Sequence, residues 1–186
     1  MELTDEQQRI VDQPITSKIL VTAGAGTGKT ETLVRRISKL LDRDEAAGSE
    51  ILILTFTRAA SGELRRRVSS LTGRASFIRA RTLDSFATRI LSEVDVDGPW
   101  RSADYDDRIL YFTKLLGSTD GNPGVREYGN SIKHLFIDEI QDLVGPRSEM
   151  VKSILSHWHC GFTMLGDPAQ GIYNFQLKGT PVKKEP

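Results

Sequence analysis

The sequence predicts an α/β domain built on a central, mainly parallel sheet, and three observations carry that reading. Short, continuous apolar runs recur at Lys18–Ala23, Glu50–Thr55 and His134–Asp138, and Gly161–Gly166 resembles them. Such runs read as strands buried on both faces, too short and too uniformly apolar for surface helices. Helical patterns lie between them: Thr30–Leu41 puts Leu33, Ile37, Leu40 and Leu41 on one stripe, and Ala60, Leu64 and Val68 recur at spacing four. Strands alternating with helices favour a parallel sheet covered on both sides.

The remaining elements follow in order. Leu83–Leu91, Asp104–Leu116 and Arg147–Trp158 are expected as helices. Ser92–Ala103 carries Asp95, Asp97, Gly98 and Pro99, and Gly117–Asn130 carries four glycines and Pro123; both read as irregular. Residues 177–186, with two prolines and almost no apolar material, are expected to be a flexible tail or a truncation point of a longer chain.

Composition sets outer bounds. With 186 residues, one domain is expected, and 25 basic against 25 acidic side chains give a net charge of zero. Uniform attraction to polyanions is therefore excluded, though not a local basic face. No run approaches the roughly 20 apolar residues that span a bilayer, so no membrane partner is expected. The N-terminus lacks the basic and apolar regions of a signal peptide, and Cys160 has no second cysteine to pair with, so a reduced, cytoplasmic protein is expected. His157, His159 and Cys160 lack a second ligand pair and read as structural.

The sharpest local signal is Ala23-Gly24-Ala25-Gly26-Thr27-Gly28-Lys29-Thr30, placed between a predicted strand and a predicted helix. Glycines let the backbone wrap closely around phosphate oxygens, and the helix start adds inward-pointing N–H groups. Lys29 is expected on the β- and γ-phosphates, with the Thr30 hydroxyl on Mg2+. The match to G-x-x-x-x-G-K-[ST] departs at Ala23, where the pattern calls for glycine. At the end of an apolar strand, Asp138 and Glu139 supply two adjacent carboxylates. Asp138 suits the metal that Thr30 also contacts, and Glu139 suits a water-orienting role in attack on the γ-phosphorus. Nucleotide kinases do not need that second carboxylate, so hydrolysis is the better reading.

Together these motifs resemble the first motor domain of UvrD/Rep/PcrA-like superfamily 1 DNA helicases, whose signatures occur here in order from residue 3 to about 176. Leu3–Gln8 looks like the glutamine motif, which implies that Gln7 reads adenine. The family's phosphate loop also carries alanine at the position of Ala23. Ile53–Ala60 and Arg81–Phe86 are similar to DNA-contacting motifs, Asp138–Asp142 fits D-E-x-Q-D, and Gly166–Phe175 resembles the motif joining ATP to DNA.

The resemblance implies a RecA-like P-loop domain over residues 1–176, with a reduced insertion at about 93–133. It implies ATP at Gln7, Ala25, Gly26, Thr27, Gly28, Lys29 and Thr30, with Mg2+ at Thr30 and Asp138. Catalysis would rest on Lys29, Asp138, Glu139 and Gln170, and single-stranded DNA would cross Phe56, Thr57, Arg81, Ser85, Tyr173 and Phe175. The expected partners are single-stranded DNA and a second motor domain, in cis or in trans, whose arginines complete the ATP site.

Departures from the family pattern include Asp84 in place of histidine, which should repel phosphate, and Gln176 in place of arginine. Residues 57–90 nevertheless hold eight arginines against Glu63 and Asp84. Two alternatives stay open: a stand-alone ATP-dependent binding module that does not translocate, and a small P-loop transferase, which Glu139 disfavours.

Overall fold

The computed structural model describes residues 2–71, 77–118 and 122–167. Within them, five strands form one parallel sheet: β1 (Lys18–Thr22), β2 (Ile51–Thr55), β3 (Arg79–Thr82), β4 (His134–Ile137) and β5 (Gly161–Gly166), in the order β1-β5-β4-β2-β3. Seven helices accompany them: α1 (Asp5–Asp12), α2 (Lys29–Asp42), α3 (Arg58–Leu71), α4 (Leu83–Val94), α5 (Tyr105–Gly117), α6 (Pro123–Asn130) and α7 (Gly145–His157).

The apolar runs at β2, β4 and β5 are buried almost throughout and serve two cores at once. Lys18–Ala23, expected as a buried strand, instead forms the edge strand β1, which has a neighbour on one side only. Its residues are exposed or half-buried, Leu20 at 46%. Along β2, Leu52 and Leu54 face a cluster with Phe86, Ile109, Phe112, Met150 and Ile154, contributed by α4, α5 and α7. Ile51 and Ile53 face the other side, where Leu33, Ile37, Leu40, Leu64 and Val68 of α2 and α3 pack. Every residue of β2 and β4 is buried, so neither strand could tolerate the polar alternation of a one-sided sheet.

Three elements correct the sequence reading. α1 was not among the expected helices; it starts after Thr4, whose side chain accepts from the Gln7 N–H. β3 was not expected: its sequence, Arg-Ala-Arg-Thr, buries only Ala80 and Thr82 and leaves both arginines half-exposed, as an edge strand permits. Residues 117–130 are not wholly irregular, because α6 starts after Asn122, whose side chain accepts hydrogen bonds from the N–H groups of Gly124 and Val125 at 3.0 and 3.3 Å. The segment expected as a reduced insertion thus holds a short 3-10 turn at Pro99–Ser102 and the helices α5 and α6.

Strand order brings three loops to one edge of the sheet. β5 lies between β1 and β4, pairing Thr22 with Gly166 and Met164 with Ile137. The chain leaving β1, β4 and β5 therefore emerges side by side at the carboxyl ends, where open α/β sheets bind ligands.

Candidate functional site

Two glycines shape the loop after β1. Gly26 and Gly28 have φ of +74° and +85°, a left-handed backbone that side chains disfavour, and Gly28 is the residue preceding α2. The first turn of any helix leaves its N–H groups without intrahelical acceptors, and here those groups face the carboxyl edge. The Lys29 ammonium folds back onto the loop, donating to the carbonyls of Ala23 at 2.8 Å and Gly24 at 3.0 Å. Those bonds satisfy the cation and brace the loop.

Gln7 meets the same loop from α1. Its Oε1 accepts from the Thr4 N–H at 2.9 Å, while its Nε2 donates to the Thr27 carbonyl at 2.9 Å. It also approaches Gly28 so closely that a β-carbon there would sit 2.8 Å from Nε2. The helix carrying Gln7 is itself anchored by Arg36, a fully buried residue of α2. Its guanidinium donates to the carbonyls of Ile10, Gln13 and Pro14 at 3.0, 2.7 and 3.0 Å and to the Thr163 hydroxyl at 3.0 Å.

At the end of β4, Asp138 is 6% exposed. Burial pushes its carboxyl up to about 6, the charge of Glu139 adds to that rise, and the Glu139 N–H and the Lys29 charge oppose it. The carboxylate accepts from the Glu139 N–H at 3.0 Å. Glu139 adopts φ 56° and ψ 48°, a left-handed conformation costing a non-glycine residue on the order of 1 kcal/mol, of the kind found at functional turns. Its carboxylate receives a hydrogen bond from Nε2 of Gln141, whose Oε1 accepts from the Asp167 N–H at 3.0 Å. Gln141 is a site residue that the sequence reading left unassigned, although it sits inside the quoted D-E-x-Q-D motif.

A separate groove of about 640 Å³ opens beside the ends of β2 and β3, lined by Phe56, Arg58, Thr82, Ser85, Tyr105 and Arg108 among others. Of the expected DNA residues, Phe56 and Ser85 line it. Thr57 instead caps α3, accepting from the Ala60 N–H at 3.1 Å, and Arg81 lies on β3; neither is among the lining residues. Asp84 does line the groove, but its carboxylate is paired with Arg147, as Nη2 donates to Oδ1 at 2.5 Å and Nε to Oδ2 at 3.3 Å. The expected repulsion of phosphate by Asp84 is thereby locally compensated.

The arginine excess does not form one stripe. Arg65 donates to the Ala80 carbonyl at 2.7 Å, Arg66 and Arg67 pair with Glu63, and Arg79 lies over the Tyr128 ring. Gln170, Tyr173, Phe175, Gln176, Arg74 and the expected tail at 177–186 lie outside the described residues.

Comparison with known proteins now decides the family. The sequence pattern described as the UvrD/REP helicase N-terminal domain matches residues 3–101 and 99–179. The chain belongs to that family. It is 29% identical over 180 residues to the putative ATP-dependent DNA helicase R568 of Acanthamoeba polyphaga mimivirus, covering 94% of this chain and 26% of that protein. It is 35% identical over 130 residues to the ATP-dependent DNA helicase UvrD2 of Mycobacterium tuberculosis, covering 62% and 19%. DNA helicase II of Escherichia coli is 32% identical over 119 residues, covering 61% and 16%. The chain thus spans about a quarter or less of the length of these relatives. Among solved structures, the Pif1 helicase of Candida albicans superposes with a TM-score of 0.51 at 19% identity, over 90% of this chain and 33% of that one. That likeness concerns the fold, which is RecA-like. Among the described residues of this UvrD-like domain, no helix is long and apolar enough to cross a membrane.

Proposed function

We propose that the chain is the ATP-binding motor half of a DNA helicase, which binds MgATP and single-stranded DNA but does not unwind duplex alone. The observation carrying this reading is the convergence at one sheet edge of the glycine loop, Lys29, Gln7 and the Asp138–Glu139 pair.

Residues 1–176 form the nucleotide-binding unit in this reading. Ala25, Gly26, Thr27 and Gly28 wrap the phosphates with their N–H groups, and Lys29 exchanges its loop carbonyls for phosphate oxygens. Gln7 reads the base. Asp138 and Thr30 suit Mg2+, because a buried carboxylate with a raised pKa is stabilised by a cation. Bound there, the ion would neutralise phosphate charge. Glu139 orients the attacking water, and Gln170 contacts the γ-phosphate. The groove holding Phe56 and Ser85 takes the nucleic-acid strand, with Phe56 offering a ring face to a base; Thr57, Arg81, Tyr173 and Phe175 extend that path. Translocation then requires a second motor domain, in cis or in trans, because one domain must grip while another moves. The arginines it supplies are worth roughly 10³–10⁵ in rate at related phosphoryl-transfer sites.

Strand displacement of a tailed duplex by this chain alone, run beside phosphate release with and without single-stranded DNA, tests the proposal. MgATP binding with very slow hydrolysis and no displacement is expected. Displacement by the monomer would overturn the half-motor reading.

A further inference from the structure

The geometry points to Gln141 as a positioning residue that ties the Glu139 carboxylate to the main chain at the end of β5. The inference rests on the proposed water-orienting role of Glu139 and adds a means by which that role is controlled.

Gln141 sits in the 3-10 turn Ile140–Asp142, entered through the left-handed backbone of Glu139. Its carboxamide is a rigid plane with a donor end and an acceptor end, and each end has one partner. Nε2 donates to Glu139 Oε2, and Oε1 accepts from the Asp167 N–H at 3.0 Å. Only one amide orientation satisfies both. Turned over, the plane would set its NH2 against the Asp167 N–H and its oxygen against the carboxylate, so two attractions would become two repulsions. The side chain is therefore locked at both ends.

Packing holds the turn against β5. A β-carbon on Gly166 would collide with the Ile140 side chain and stand 3.1 Å from Gln141 Oε1. Glycine as the last residue of β5 is what lets the turn lie on the strand end. Asp167 then leads out of the sheet into the remainder of the Gly166–Phe175 motif. A shift of the backbone at Asp167 moves the acceptor end of Gln141, and the donor end carries the Glu139 carboxylate with it. Gln141 occupies one carboxylate oxygen and leaves the other to orient a water, so it acts on the chemistry only through Glu139.

Two variants separate this role from simple support of the fold. Gln141→Met keeps length but has no donor and only a weak thioether acceptor. Gln141→Glu keeps an acceptor for the Asp167 N–H but faces Glu139 with a like charge. Calorimetric MgATP affinity should stay within about twofold of the parent in both, while single-turnover hydrolysis at saturating nucleotide should fall about tenfold in each. The Asp167 amide resonance supplies a readout independent of turnover. Glu139→Ala should move it in the parent protein and leave it unmoved in the Gln141→Met background.

An amide shift of equal size in both backgrounds overturns the coupling, as does hydrolysis unchanged in both variants. If Gln141→Met does not fold, the kinetic comparison stands on Gln141→Glu, and the amide comparison is repeated in Gln141→Ala, which removes both bonds. Glu139→Gln is the control for the underlying reading. Undiminished hydrolysis there would refute the water-orienting role, whereas loss of hydrolysis beside a null result at Gln141 refutes the coupling alone.

Discussion

Arg147 of α7 and Asp84 of α4 form a two-bond ion pair at the rim of the groove beside β2 and β3. The same guanidinium donates to Asp106 at 2.9 Å and lies 5.9 Å from the centre of the Phe56 ring. One cation thus ties three helices and covers part of the aromatic side chain proposed to meet a base. It is also held off any incoming phosphate by two carboxylates.

That arrangement predicts the effect of removing the acidic charge. Asp84→Asn weakens the hold on Arg147, leaving it available to a phosphate. Binding of a fluorescent oligothymidine, followed by anisotropy at several salt concentrations, should become tighter. The slope of log affinity against log salt should steepen by about 0.7, the contribution of one further phosphate on a single strand. Weaker binding would instead mean that Asp84 serves by holding Arg147 in place.

Lys29→Ala should separate binding from folding. The ammonium makes two bonds to loop carbonyls and none to the apolar cores, so the melting temperature should move by only a few degrees. MgATP affinity should fall by roughly tenfold to a hundredfold, the value of a lost charged hydrogen bond of about 1.5–3 kcal/mol. Calorimetric titration checks it, and unchanged affinity would defeat the phosphate-loop assignment.

Glu139→Gln preserves shape but cannot accept a proton. Nucleotide affinity should stay within about threefold while phosphate release drops about a hundredfold, within the usual contribution of a general base. Equal loss of both on one preparation would make Glu139 structural.

Stability should depend on pH through His134. This residue is fully buried, its Nε2 lies 2.9 Å from the Thr163 hydroxyl, and its Nδ1 lies 2.5 Å from the Ile15 carbonyl. Because Ile15 O can only accept, Nδ1 carries the proton and Nε2 accepts from Thr163. Burial, and then the nearby charge of Arg36, lower its pKa from 6.5 to about 4, against the opposing hydrogen bond to Ile15. The unfolded chain therefore takes up the proton first as pH falls. Its stabilising contribution is complete above 6.5 and is lost as pH drops to about 4, in all roughly 3 kcal/mol. Urea unfolding between pH 7 and 4.5 should show the decline, and His134→Asn should flatten it.

Much of this architecture was legible because burial on both faces leaves a continuous apolar run, as in β2 and β4. β3 was not, since an edge strand with two half-exposed arginines has no such run. In α6, glycine misled: at Gly129 a β-carbon would stand 2.5 Å from Trp158 Nε1, so the residue answers helix packing and not a turn. The glycine loop after β1 was readable because its pattern is consecutive in the sequence and lies directly between a strand and a helix. Gln141 was not, because its meaning lies in a bond to Asp167, which is distant in sequence and adjacent only through the sheet. The pairing of Asp84 with Arg147 was hidden for the same reason.

The buried guanidinium of Arg36 makes a gauge of the first two helices. By gripping the carbonyls that end α1, it fixes the span between Gln7 and the loop opening α2. The end of α1 and the glycine loop are thus tied at two separate points, so a displacement of either must strain buried bonds of Arg36 or the bond of Gln7 to Thr27.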